Sequence, residues 1–446
     1  MAATKNPKIV NTNEEPKEPK NLFTLLTTTL GLNQNQESKT EVAGISEEEN
    51  EISGSKKQGD GVKFSDPKPI TPPPLKLQVE EYENPAARLL LEKSLSEILT
   101  LFYPLAGRYI KENLSVSCND EGVEYIEALV NSQLSPILLG EFETKELNCF
   151  LPDELEESAI SPLVAIQVNI FNYGGLAIGL RLSHRIIDGF TCSMFMNGWA
   201  KACKVGLNDV TIPNFESGIL FPPRDLSGFQ FLHSPKTKSH ELVTKMFSFD
   251  EETISKLKIE AGCKPSTTEV LTALIMRAKI NAAAARARNR TCLLLVREQE
   301  LGLNNFVDQV RDAIRDTMME YAKKESSDED GFFSKVVKQC IDIVEETREG
   351  ELDVHMFSSV MSLPFHQADF GWGMPDWVSM GKMSSKSVFF IARSNGSGDK
   401  KGLIEAWVTM DKDDMACFEK DPSIVMSTKS ASTKIAIAIP ILRPRI

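Results

Sequence analysis

Apolar residues follow two different rhythms around the middle of the chain. From Val164 to Leu182 nearly every position is apolar, and Gly174-Gly175 divides the stretch into Val164–Phe171 and Leu176–Leu182. That pattern predicts a hairpin of two buried strands. Directly afterwards Phe195, Met196 and Trp199 recur at near-helical spacing, which predicts a helix over 190–205. Arg181-Leu182-Ser183-His184-Arg185-Ile186-Ile187-Asp188-Gly189 joins the two, so His184 falls where a core strand hands over to a helix.

The same reading extends along the chain. Apolar positions 91, 95, 98, 99 and 102 predict an amphipathic helix over 88–102, ended by Tyr103-Pro104. Short strands are expected within 114–130 around Asp120-Glu121-Gly122, then loop and short helix over 131–157. Strands are predicted at 242–249, 357–361, 388–392, 403–410 and 433–442. Helices are predicted at 251–261, from the capping box Ser266-Thr267-Thr268-Glu269 to about 285, at 311–323 and at 333–348.

Residues 1–61 are polar and charged with few aromatics, as expected of a disordered tail, with 21–26 as a short helix or docking segment. The Pro-rich run 68–74 reads as extended. A first sheet-and-helix unit is expected over 62–205 and a crossover linker with Pro213, Pro222, Pro223 and Pro235 over 206–240. A second unit then fills 241–446.

Composition narrows the function classes. A formal net charge of −13 argues against a nucleic-acid-binding stripe, and no apolar run reaches bilayer-spanning length. The eight cysteines form no Cys-x-x-Cys pair and none lies beside a histidine at ligand spacing, so free thiols and no metal site are expected. With no leader of charged then apolar residues in view, the expected location is the cytoplasm.

At the junction, His184 has a side chain whose unperturbed pKa near 6.5 suits a general base. A hydrogen-bonded core histidine is the other reading of the same residue. Asp188 is too close in sequence to act as an independent nucleophile. It is expected to turn inward, pair with a cation and fix the loop, with Gly189 permitting a tight turn.

His184-x-x-x-Asp188-Gly189 and Asp369-Phe370-Gly371-Trp372-Gly373 together resemble the two signature motifs of the plant BAHD acyl-CoA-dependent acyltransferases, the vinorine-synthase-like acetyltransferases in particular. Leu101-Phe102-Tyr103-Pro104-Leu105-Ala106-Gly107-Arg108 and Ile404-Glu405-Ala406-Trp407-Val408 add to the resemblance, which runs from about Lys63 to the C-terminus. It implies two similar chloramphenicol-acetyltransferase-like α/β domains with a channel between them and His184 midway along it. It also implies direct transfer of an acyl group, acetyl first, from acyl-CoA to a hydroxyl (less often an amine) of an alkaloid or terpenoid. No resident cofactor, metal, nucleic acid or membrane is implied, and the family precedent is a monomer. Asp188, Gly189, Asp369, Gly371 and Gly373 would support the site. Trp372 would be either structural or an N–H donor to the acyl oxygen.

Two departures matter. The chain passes quickly from Leu77 to Pro85, where the family has an aromatic-rich channel strand. It also lacks the Asn-Leu/Ile-Arg motif near 288–295, whose arginine pairs with the motif aspartate. Arg185, Arg290 and Arg393 are the candidate substitutes for that cation. Met246, Thr268 and Met374 further replace expected family residues. A non-catalytic or impaired relative that binds a small molecule is therefore the alternative expectation.

Overall fold

The computed structural model describes strand segments at Thr4–Asn6, Leu22–Thr24 and Val62–Ile70 and most of the chain from Pro85 to Thr428. Outside the described residues lie the rest of 1–84, then 111–114, 139–143, 156–159, 217–241, 263, 286–290, 293–301, 323–333, part of 335–351, 382, 384, 394–401 and 429–446. The strand expected at 433–442 and much of the helix expected at 333–348 fall there.

β1 (Thr4–Asn6) pairs antiparallel with β2 (Leu22–Thr24), so part of the segment read as a short helix is strand. The first unit then runs β3 (Val62–Ile70), α1 (Pro85–Leu101), β4 (Arg108–Ile110), β5 (Ser115–Ser117), β6 (Val123–Val130), the short α2 (Ser135–Leu138), β7 (Val164–Phe171), β8 (Leu176–Leu182) and α3 (Gly189–Val205). Its main sheet has the order β3-β6-β7-β8, parallel except for the β7/β8 hairpin. The β3 ladder shifts register between Ser65 and Lys68, where Pro67 has no N–H to give. β7 is buried almost throughout, as its continuous apolar run requires of a strand covered on both faces.

One face of this sheet packs on α1 and α3. Trp199 and Phe195 of α3 are fully buried with Leu91, Leu95 and Ile98 of α1, and the Trp199 indole donates to Leu91 O at 3.1 Å. On the other face the buried Gln167 and Asn169 of β7 donate to Cys149 O (2.9 Å) and Phe150 O (2.8 Å). These bonds fasten the short 3-10 helix Thr144–Phe150 to the sheet and satisfy two amides that would be costly to bury unpaired.

The second unit runs β9 (Leu242–Phe249), α4 (Glu251–Ala261), α5 (Thr267–Ala285), β10 (Thr291–Cys292), α6 (Leu303–Ala322), β11 (Leu352–Asp353), β12 (Met356–Ser359), β13 (Ser387–Arg393), β14 (Leu403–Asp411), α7 (Lys412–Phe418) and α8 (Pro422–Ser427). Its sheet has the order β12-β13-β14-β9. Asp250 caps α4 through Thr253 N at 2.7 Å. Ser266 and Glu269 form the reciprocal capping box at α5, Ser266 N donating at 2.6 Å and Glu269 N at 3.2 Å. α6 begins at Leu303, earlier than the 311 expected, because Leu303, Phe306 and Val307 are its buried face.

The two sheets face each other across the Thr144–Phe150 segment. Along β14, Ala406, Val408 and Met410 point into the helix-packed core, while Trp407 points the other way and meets Leu147 and Phe150. The architecture is thus α/β in two sheet-and-helix units, helices outermost and sheet faces turned inward.

Candidate active site

The turn between β8 and α3 is held at nearly every residue. Ser183 N donates to Leu163 O at 2.8 Å, and Ile186 N closes the turn on Ser183 O at 3.2 Å. Ile187 is in the core. The guanidinium of Arg185 lies 4.9 Å from the centre of the Tyr109 ring. His184 alone is exposed, and among the described residues its ring has no hydrogen-bond partner. A core histidine, the bland reading of this residue, is therefore ruled out by its surroundings.

Asp188 starts the helix that follows the turn. It is the N-cap of α3, its carboxylate accepting from Thr191 N at 2.8 Å, which satisfies a backbone donor that the helix start leaves open. Burial pushes this carboxyl up, but hydrogen bonds, those from Thr191 foremost, leave it below its ordinary value. Of the three candidate cations for Asp188, Arg185 is among the described residues, and Arg290 and the side chain of Arg393 lie outside them. Gly189 is not a tight-turn glycine: it is the first residue of α3 at an ordinary φ, and its need is space. A Cβ there would stand 3.1 Å from Leu363 Cδ1 of the second unit. Cys192, one turn in, is no rival nucleophile, since burial first and the Asp188 charge second push its thiol up to about 12.

The second motif meets the other end of the same helix. After β12 the chain crosses α3, where Asn197 Nδ2 donates to Pro364 O at 3.0 Å. Asp369 then accepts from Gly371 N (2.8 Å), Gly373 N (2.9 Å) and Lys204 Nζ (2.6 Å). Gly371 (φ +105°) and Gly373 (φ +114°) take backbone conformations closed to L side chains, so the loop needs glycine at both. The Lys204 bond first, then those from Gly371 and Gly373, holds the Asp369 carboxyl below its ordinary value. Phe370 packs edge-on against Trp199, and Trp372 stacks on Phe370 with centres 6.0 Å apart. Lys204 stands about four turns beyond Gly189, or roughly 22 Å along the axis. The Trp372 N–H is therefore remote from the His184 turn, and its surroundings favour the structural role.

Sequence reasoning missed one cluster. Lys386 Nζ lies 2.6 Å from both Asp353 Oδ1 and Asp411 Oδ2, and His355 Nε2 lies 3.3 Å from Asp353 Oδ2. Burial pushes the His355 imidazole down to about 4. The carboxyl of Asp353, though raised by burial, is held well below its usual range by His355 and by the lysine charges. The residues are scattered in sequence and assemble only when strands pair. They flank the start of β12, whereas Val360 and Leu363 beyond its end face Gly189. Among the described residues no group of three acidic, histidine or cysteine side chains could hold a metal, and no helix is long and apolar enough to cross a membrane.

Comparison with known proteins completes the picture. The family model described as "Transferase family" matches residues 78–299 and 296–425. The chain is 32% identical over 339 residues to an acetyl-CoA-benzylalcohol acetyltransferase of Clarkia breweri, covering 65% of this chain and 76% of that one. It is 31% identical over 378 residues to a limonoid 21-O-acetyltransferase of Melia azedarach, covering 77% and 86%. The crystal structure of vinorine synthase superposes with TM-score 0.62 at 25% identity, covering 79% and 87%. F. sporotrichioides TRI101, complexed with coenzyme A and T-2, shares the fold at TM-score 0.54 and 14% identity, covering 78% and 92%. With the two motifs meeting opposite ends of one helix, and with matches spanning most of its length, the chain belongs to the transferase family of BAHD acyltransferases.

Proposed function

We propose that this chain transfers an acetyl group from acetyl-CoA to a hydroxyl of a plant specialised metabolite, an alkaloid or terpenoid alcohol, with His184 as general base. One observation carries the reading: a solvent-facing imidazole with no partner among the described residues, on a turn whose neighbours are anchored. The relatives support the donor and the acceptor class, since their names specify acetyl-CoA, an aromatic alcohol and a limonoid O-acetylation.

In this mechanism acyl-CoA and acceptor meet at the His184 imidazole. The imidazole takes the acceptor's hydroxyl proton as its oxygen attacks the thioester carbonyl. The tetrahedral oxyanion collapses, the C–S bond breaks, and the CoA thiolate receives the proton back from the imidazolium. No acyl-enzyme forms, so no serine or cysteine nucleophile is needed. No resident metal or cofactor takes part, and the chain works as a cytoplasmic monomer.

A second reading, a relative that binds small molecules without turning them over, has one observation in its favour. The family match falls into two pieces that meet at 296–299, beside the stretch 288–295 where the Asn-Leu/Ile-Arg motif is missing. Release of free CoA thiol from acetyl-CoA, measured over a panel of benzylic, terpenoid and indole-alkaloid alcohols, separates the two. The expected result is acceptor-dependent thiol release that falls about 10²- to 10⁴-fold in His184→Ala. Saturable acetyl-CoA binding with no thiol release across the panel would establish the second reading instead.

A further inference from the structure

The segment Leu105-Ala106-Gly107-Arg108 lies next to the His184 turn in space, and its neighbour Tyr109 touches that turn. Arg108 is buried and ties down its surroundings: Nη1 donates to Gly107 O (2.8 Å) and Gly122 O (2.7 Å), Nε to Ile160 O (3.2 Å) and Nη2 to Glu121 O (3.2 Å). Its backbone also bridges to Pro162, and the next residue, Leu163, accepts from Ser183 N at the start of the turn. Gly107 lets this knot close, because a Cβ there would run into the carbonyl of Ser117 on the paired strand β5. Successive side chains of a strand point to opposite faces. With Arg108 turned into the knot, Tyr109 presents its ring the other way, beneath the guanidinium of Arg185 at 4.9 Å.

We propose that Tyr109 and Arg185 are a positioning pair for His184, the ring mounted on the Arg108 knot holding the residue next to the imidazole and so fixing where that imidazole projects. The inference rests on the reading of His184 as the base. It assigns a use to the Leu105–Arg108 motif and to the first variable position inside His-x-x-x-Asp. Neither residue touches the reacting atoms in this account; they act through His184. A cation held over an aromatic face is attracted by the ring itself, and the phenolic hydroxyl adds little to that. Phenylalanine should therefore replace Tyr109, and lysine should largely replace Arg185.

The test is a set of Tyr109→Leu, Tyr109→Phe, Arg185→Gln, Arg185→Lys, the Tyr109→Leu/Arg185→Gln double variant and His184→Ala, each checked for unchanged melting temperature. Expected are kcat losses of about tenfold in Tyr109→Leu and in Arg185→Gln, with KM for acetyl-CoA within about twofold of the parent. The double variant should be no worse than the poorer single one, because the two residues form one device. Tyr109→Phe and Arg185→Lys should stay within about threefold of the parent. Multiplying losses in the double variant, Tyr109→Phe as poor as Tyr109→Leu, or a defect confined to KM would overturn the pairing. If Tyr109→Leu does not fold, the half-buried Arg185→Gln with its lysine counterpart still decides the matter.

A second readout needs no turnover. The side-chain NMR signal of His184, identified by its loss in His184→Ala, should broaden or double in Tyr109→Leu and Arg185→Gln and stay sharp in Tyr109→Phe. An unaltered signal in all three would overturn the proposal. Undiminished turnover in His184→Ala would instead overturn the base assignment, a result the signal readout keeps apart.

Discussion

At the start of α3, the turn from Ser183 to Asp188 is pinned by Leu163, Tyr109, the core and a helix cap, and out of it projects one exposed side chain without a described partner. At the far end of the helix, the loop from Asp369 to Gly373 projects nothing of that kind. Its carboxylate folds back on two of its own amides and on Lys204, and its aromatic rings stack into the first unit. The two motifs are equally recognisable as sequence, yet one is arranged to present a group and the other to close a joint. A motif's residue types do not say which of these it is; the direction in which its polar atoms point does.

The largest separation between the ends comes from removing each one's key side chain. His184→Ala should lower turnover about 10²- to 10⁴-fold while the melting temperature stays close to the parent's, since the ring makes no described bond. Asp369→Ala should do the reverse, lowering stability by about 0.5–1.5 kcal/mol in urea unfolding while turnover per folded molecule falls less than tenfold. Most of that loss lies in the two loop hydrogen bonds, because the half-exposed Lys204 ion pair contributes little. If Asp369→Ala abolished turnover without altering stability, the division between the two ends would be wrong.

A smaller effect probes the cap at the start of α3. Asp188→Ala should cost about 1 kcal/mol of stability, whereas Asp188→Asn, still a good N-cap, should cost only a few tenths. Acid unfolding sharpens the point. The folded carboxyls of Asp188 and Asp369 lie below their unfolded values, so the stability they contribute is full above about pH 4 and is lost as pH falls through the lower folded values. Asn at either position should therefore flatten the fall in stability below pH 4 and leave neutral pH nearly unaffected. The smallest effect expected is that of Trp372→Phe, which keeps the stack on Phe370 and removes the indole N–H. Turnover within about twofold of the parent is predicted, and a hundredfold loss in kcat would restore the oxyanion role.

Much of this molecule could be read in advance from local pattern. The β7–β8 hairpin, α3, the capped starts of α4 and α5, and β13 and β14 all appear where apolar period and capping residues put them. Misreadings came where a partner decided. α6 begins at Leu303 because Phe306 and Val307 find a core to enter, and 22–24 is strand because it has Thr4–Asn6 to pair with. The cluster of Asp353, His355, Lys386 and Asp411 was invisible because strand pairing brings the first two beside Lys386 and Asp411 from far along the chain.

The sequence by itself determined the family and the order of most elements, since periodicity and motif spacing are properties of neighbours along the chain. Only the tertiary structure decided what each motif residue touches. Asp188 proved a helix cap, Gly189 a point of contact with Leu363, and Trp372 a ring stacked at the far end of α3. The cap is closed within the first turn of α3, whereas the other two places are settled by the packing of one unit against the other.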